Sequence, residues 1–193
     1  MRPLARLLAA FLLLLGTLPF AHADGIRIDS ARFGGVWTNP SWLEGGTHAE
    51  SDGFGVQGEV LFTVAAFEAN ATTGNVFLDG VLNPRLHVGG VLTLEDDQTD
   101  YAYAGLTWRW DLTQSLFVEF GFGGAVNNGE LEGVVGRAEL GSHVTFRESL
   151  SLGYRLTDMS AVVLGFEHLS HLRLASDRNR GLSNATLKYA IQF

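Results

Sequence analysis

Apolar residues alternate with small or polar ones along much of this chain. Ala102, Ala104, Leu106, Trp108 and Trp110 fall on one face of a segment whose other face carries Tyr103, Gly105, Thr107 and Arg109. Leu116, Val118, Phe120 and Phe122 oppose Glu119, Gly121 and Gly123 in the same way, and Ala185, Leu187, Tyr189, Ile191 and Phe193 oppose Asn184, Thr186, Lys188 and Gln192. A period of two marks strands with unlike faces. No sustained apolar run and no three-to-four residue period follows the first residues, so the chain reads as all-β. Eight strands are predicted, over Ile26–Trp37, Gly53–Thr63, Arg85–Leu94, Tyr101–Asp111, Leu116–Ala125, His143–Leu156, Ser160–Leu172 and Asn184–Phe193.

Alternation alone does not say which face meets water. A soluble sandwich turns its apolar face inward, whereas a membrane barrel turns it to lipid and fills the lumen with polar groups. Three features favour the barrel: the terminal aromatic Phe193, an aromatic girdle of Trp108, Trp110, Tyr154 and Tyr189 near strand ends, and 24 glycines. Eight is an even strand number, as bacterial single-chain barrels have, and leaves a lumen filled by side chains. The expected architecture is therefore an eight-stranded antiparallel transmembrane β-barrel of the outer-membrane type. Arg85, His87, Glu119, Arg147 and Glu167 are expected as a satisfied interior polar network. Such barrels have short periplasmic turns and longer outer loops. Segments 38–52, 126–142 and 173–183 are then external, with both termini in the periplasm. Segment 64–83 is too long for a periplasmic turn and is expected as strand extension or a plug.

The first residues change the picture by fixing the compartment. Arg2 and Arg6 precede an apolar run from Leu7 to Leu15, and Ala21-His22-Ala23 supplies a small-residue cleavage site. Residues 1–23 read as a secretory signal peptide and 24–193 as one mature domain, because the apolar run is shorter than the ~20 residues that span a bilayer. Cysteine is absent, which excludes disulfides and thiol chemistry. Lys and Arg number 13 against 21 Asp and Glu, for a net charge of −8, and two of the basic residues leave with the signal peptide. That balance argues against a nucleic-acid partner.

The candidate chemistry lies in Phe166-Glu167-His168-Leu169-Ser170-His171. His168 and Ser170, two apart on a strand, leave the same face with Cα atoms about 6.5–7 Å apart. That face also carries Val162, Leu164 and Phe166, so the pair continues an apolar stripe and points to a lipidic substrate. A serine hydroxyl becomes a nucleophile when an imidazole takes its proton, and the imidazolium then needs an orienting partner. Neither metal nor organic cofactor is required, and no histidine pair shows metal-ligand spacing.

From about Asn83 onward the chain resembles the PagL-type lipid A deacylases, the acyloxyacyl hydrolases of the outer membrane. The likeness rests on Pro84-Arg85-Leu86-His87-Val88-Gly89-Gly90, Ala102-Tyr103-Ala104-Gly105-Leu106-Thr107-Trp108, Phe117-Val118-Glu119, Gly123-Gly124-Ala125-Val126, Phe146-Arg147-Glu148-Ser149, Glu167-His168-Leu169-Ser170 and Asn179-Arg180-Gly181-Leu182. The resemblance implies a barrel that hydrolyses the ester at the 3 position of lipid A, with His168 as base and Ser170 as nucleophile on the lipid-facing surface. Its partners would be lipid A and the outer membrane.

Two positions depart from the family pattern. Ser183 stands where the family has a glutamate, and His171 stands where it has an asparagine near the developing oxyanion. If Thr157–Met159 is a three-residue turn, Leu156 faces Ser160, which puts Glu148 directly across from His168 and Phe146 across from Ser170. Opposed residues have Cβ atoms about 4.5–5.5 Å apart, so Glu148 is expected as a substitute acid. Arg173, Arg178 and Arg180 form a basic loop suited to lipid A phosphates, and Asn179 and Gly181 shape the same loop beside the substrate. The alternatives are a catalytically silent outer-membrane barrel with a structural or binding role, and a periplasmic lipid-binding barrel with an inward apolar face.

Overall fold

The computed structural model describes residues 25–40, 52–68, 73–132 and 138–193. Segment 1–23, expected as a signal peptide, and most of segment 38–52, with His48, lie outside the described residues. Eight antiparallel strands close into a barrel in sequence order: β1 (Ile26–Thr38), β2 (Gly53–Val64), β3 (Arg85–Thr93), β4 (Tyr101–Asp111), β5 (Leu116–Asn127), β6 (Val144–Thr157), β7 (Ser160–Ser170) and β8 (Leu182–Gln192). Pairing of β1 with β8, from Ser30↔Gln192 to Thr38↔Asn184, leaves no free edge.

The alternation resolves in the membrane sense. Leu150, Leu152, Leu164, Leu187, Tyr189 and Ile191 are exposed on the outside, while Arg32, Glu59, Glu119, Arg147, Glu167 and Lys188 are buried in the lumen. An inward apolar face is therefore ruled out. Buried charges persist only when paired, and here they are. Arg32 donates to both oxygens of Glu119 at 2.7 and 2.9 Å, and Arg109 Nε adds a third bond at 2.7 Å. Glu167 accepts from Arg147, from the Tyr101 hydroxyl and from Gln57. Arg85 reaches Asp29 at 2.8 Å, and His87 Nδ1 lies 2.8 Å from Thr107 Oγ1. Apolar layers close the lumen at both ends. Val36, Leu140, Leu169 and Leu182 cluster at the loop end, and Phe117, Val163 and Ala190 at the turn end.

Among its described residues, segment 64–83 extends β2 only by Val64 and places no plug in the lumen. Beyond Val64 it forms two short helices, α1 (Ala65–Glu68) and α2 (Val76–Leu82). Trp108 and Trp110 belong to the outward face of β4, and their indole N–H groups donate to the carbonyls of Val81 and Phe77 at 3.1 Å each. A helix held by outward-facing indoles lies on the outer wall, and the paired charges already fill the lumen.

The β6–β7 turn is tighter than a three-residue turn. Thr157 pairs with Ser160 around Asp158-Met159, and a bulge between Arg155 and Thr157 takes up the extra residue. The two departures cancel, so the register above the bulge puts Glu148 opposite His168 and Phe146 opposite Ser170 as expected. β7 itself stops at Ser170, because Leu172 and Arg173 take positive φ values of 54° and 59° that no strand accommodates.

Candidate active site

β7 carries His168 and Ser170 outward at the loop end of the barrel, and its neighbours supply the surroundings. On one side His168 faces Glu148 of β6; on the other it faces Ser183 of β8. The imidazole takes the second partner: His168 Nδ1 lies 2.8 Å from Ser183 Oγ. Glu148 makes no hydrogen bond or ion pair among the described residues, so the expected Glu148–His168 bond is not formed although the two stand directly opposite. Ser170 is nearly buried at 8% exposure, and its cross-strand neighbour Phe146 stacks on Phe122 with ring centroids 5.8 Å apart. An aromatic shelf thus runs beside the hydroxyl on the lipid-facing wall.

The loop 171–181 folds back over this pair. His171 is buried and committed to the loop: its Nδ1 accepts from Ala175 N at 3.3 Å, and its Nε2 lies 3.1 Å from the Arg178 carbonyl. The neutral tautomer with the proton on Nε2 satisfies both contacts. The backbone N–H of His171 donates to Asn179 Oδ1 at 3.3 Å, which ties Asn179 to the residue that follows Ser170. Gly181 has a φ of +75°, and a Cβ built there would fall 2.6 Å from His168 Cε1 and 2.9 Å from Nε2. Its bare backbone is one wall of the imidazole's slot.

Of the three arginines, two are already engaged. Arg178 Nη1 and Arg180 Nε each lie 3.3 Å from a carboxylate oxygen of Glu139, in the loop between β5 and β6. Arg180 N also donates to the Glu139 carbonyl, and Ser176 Oγ to that of Gly141, so the two loops are laced together. Arg173 stands exposed with no ion pair among the described residues. Residue-type reasoning missed two contributors. Ser183, at the family's glutamate position, gave way to Glu148 in a search for a carboxylate, and Glu139 sits in a long loop with no periodicity to place it.

These features can be set beside known proteins. The sequence model of the PagL family, lipid A 3-O-deacylase, matches residues 30–192. The chain belongs to that family. Among solved structures, the outer membrane enzyme PagL superposes with a TM-score of 0.59 at 15% identity, covering 84% of this chain and 99% of that one. Two other barrels are more distant. Neisserial surface protein A gives a TM-score of 0.44 at 10% identity over 88% of this chain and 100% of its own. Ail of Yersinia pestis, in complex with a heparin analogue, gives 0.47 at 10% identity over 88% and 99%. No curated protein matches the chain. Family membership makes it a lipid A deacylase family barrel of the outer membrane, and the closed eight-stranded sheet with its outward apolar band is the architecture that location requires.

Proposed function

We propose that this chain is an active lipid A 3-O-deacylase in which His168 and Ser170 perform the chemistry and Ser183 replaces the carboxylate of the usual triad. The observation that carries the reading is the row Ser183–His168 on the lipid-facing wall, with Ser170 one step further along the same face. With Nδ1–H donating to Ser183 Oγ, the lone pair of His168 is on Nε2, free to take the serine proton. Ser170 Oγ then attacks the ester carbonyl carbon, and the acyl group transfers to serine while the sugar oxygen leaves with the proton from His168. Water, deprotonated in turn by Nε2, attacks the acyl-serine; the acyl–Oγ bond breaks, Ser170 Oγ takes the proton back from Nε2, and the free fatty acid leaves. The amide of Asn179, anchored through its oxygen to the His171 N–H, supplies N–H donors for the oxyanion. The shelf of Phe122 and Phe146 supports the acyl chain as it leaves the bilayer.

A hydroxyl orients the imidazole but gives the imidazolium no counter-charge. Glu148, about 5 Å away across the strand pair, contributes its field without a bond. Arg173, exposed and without an ion pair among the described residues, is a cation for a lipid A phosphate; Arg178 and Arg180 hold the loop through Glu139.

The catalytically silent barrel draws on two observations among the described residues: no carboxylate is bonded to His168, and no hydrogen bond joins His168 to Ser170. Mass spectrometry of lipid A from cells expressing the wild-type chain separates the two. Loss of one ester-linked acyl chain, not seen with Ser170→Ala, is the expected result; unaltered lipid A in both strains would leave the silent barrel.

A further inference from the structure

Across the barrel from the site, α2 presents a surface that the ester chemistry does not use. Its sequence is Val-Phe-Leu-Asp-Gly-Val-Leu, and it buries none of its residues. Val76 and Phe77 are 65% and 64% exposed, and Leu78, Val81 and Leu82 are exposed as well. A helix of seven residues is not stable alone in water, and an apolar one exposed there would be unfavourable. The surroundings of α2 are built for a water-poor setting. Asn75 Oδ1 caps the first turn by accepting from Phe77 N and Leu78 N at 3.0 and 3.2 Å. The only charge, Asp79, accepts from Thr73 N and Thr73 Oγ1 at 2.7 Å each. The Val81 carbonyl, an orphan of the last turn, takes the Trp108 indole N–H instead of water.

Height and continuity identify what covers this surface. Trp108 and Trp110 lie at the end of β4 that carries the short turns and both strand termini of the barrel, the periplasmic end by the usual loop asymmetry. Phe77 stacks on Trp110 at 6.0 Å, and Trp108 stacks on Phe120 at 5.9 Å, so the apolar surface of α2 runs without a break into the lipid-facing band of β5. At the same end the outer wall has a hollow of about 550 Å³ lined by Ile26, Phe62, Leu86, Val88, Ala104 and Leu106. The small Ala104 opens it between larger neighbours. Indole rings belong at the boundary between headgroups and acyl chains, which is the level at which they hold the helix.

We propose that α2 and the adjoining hollow bind phospholipid of the periplasmic leaflet, the helix lying along the headgroup boundary and the hollow taking acyl chains. The site is a second lipid contact, at the opposite end of the barrel from the loop-end pair on β7, and it stands whether or not His168 and Ser170 hydrolyse an ester. The chain has no cysteine, so a single introduced thiol carries a fluorophore to one place. The full barrel, labelled at Phe77→Cys or Val88→Cys, is reconstituted into vesicles of phosphatidylethanolamine and phosphatidylglycerol with brominated acyl chains. Leu164→Cys on the outer wall and Asp158→Cys in the short turn are the references, and heat-modifiable mobility verifies folding of each. Labels at positions 77 and 88 are expected to be quenched at least half as strongly as the label at 164, and several-fold more than that at 158. Quenching at position 77 no greater than at 158 overturns the proposal. So does quenching that falls as protein density rises while disulfides link position 77 of two unlabelled copies, since the occupant is then a second chain.

Discussion

Replacing Gly181 with alanine presses chiefly on the imidazole of His168, the proposed base. The substitution acts in two ways. A φ of +75° in a residue with a Cβ costs roughly 1–2 kcal/mol of backbone strain. The Cβ also lands 2.6 Å from His168 Cε1, where ordinary contact begins near 3.4 Å, so the ring must retreat by the better part of an ångström. A misplacement of about 1 Å in a reacting group lowers turnover on the order of 100-fold, or about 2.7 kcal/mol in the barrier. Gly74 is the control: its φ is +78°, but nothing lies within 4 Å of its built Cβ. Gly181→Ala and Gly74→Ala therefore share the strain and differ in the clash. Release of fatty acid from purified lipid A in mixed micelles, compared at equal amounts of folded barrel, is expected to fall about 100-fold for Gly181→Ala and to stay near wild type for Gly74→Ala. Wild-type turnover in Gly181→Ala would refute the role given to the imidazole slot, and an equal loss in both would put the effect down to strain alone.

Other residues give separable outcomes. Ser183→Ala removes one neutral hydrogen bond to the imidazole, about 0.5–1.5 kcal/mol; kcat should fall between about twofold and tenfold with KM unchanged, Glu148→Gln should cost less, and Ser183→Glu should raise kcat above wild type. Glu167→Gln breaks a buried pair with Arg147 in the lumen, which costs about 3–5 kcal/mol. Its urea midpoint should drop while the turnover of the folded fraction holds, and an unchanged midpoint would show that the lumen network adds little. Arg173→Gln should raise KM at low salt and much less at high salt, as an exposed charge on a phosphate does. Arg178→Gln should change KM less, because Glu139 already neutralises that guanidinium.

The barrel was legible because its signal is local. Ala102 to Trp110 and Leu116 to Phe122 show their two faces within one strand, and the outward choice follows from where the charges fall. The β6–β7 register was also within reach, since one short turn separates the strands and its bulge offset the misjudged turn length. The partner of His168 was legible only in part: the resemblance marks position 183 as the place of the third residue, but residue type alone gives a serine no such role. The pairing depends on the β7–β8 register across the loop 171–181, where neither period nor turn type fixes the count, and a search for a carboxylate favours Glu148 over a serine. The Arg178–Glu139 and Arg180–Glu139 pairs join two loops that only tertiary structure brings together. α2 escaped for another reason: seven residues, five of them apolar and two of them Asp79 and Gly80, are too few to show a period, and Trp108 and Trp110, which hold it, read equally well as girdle residues.

The central claim, that Ser170 on the lipid-facing wall is a nucleophile activated by His168, is tested most directly with an alkyl phosphonate ester that traps reactive serines. Intact-protein mass spectrometry of the purified barrel, with peptide mapping of the adduct, reads the outcome. One adduct per chain is predicted, located at Ser170, absent in His168→Asn and formed more slowly in Ser183→Ala. An adduct at another serine, labelling that survives His168→Asn undiminished, or no labelling of a folded wild-type barrel would contradict the account.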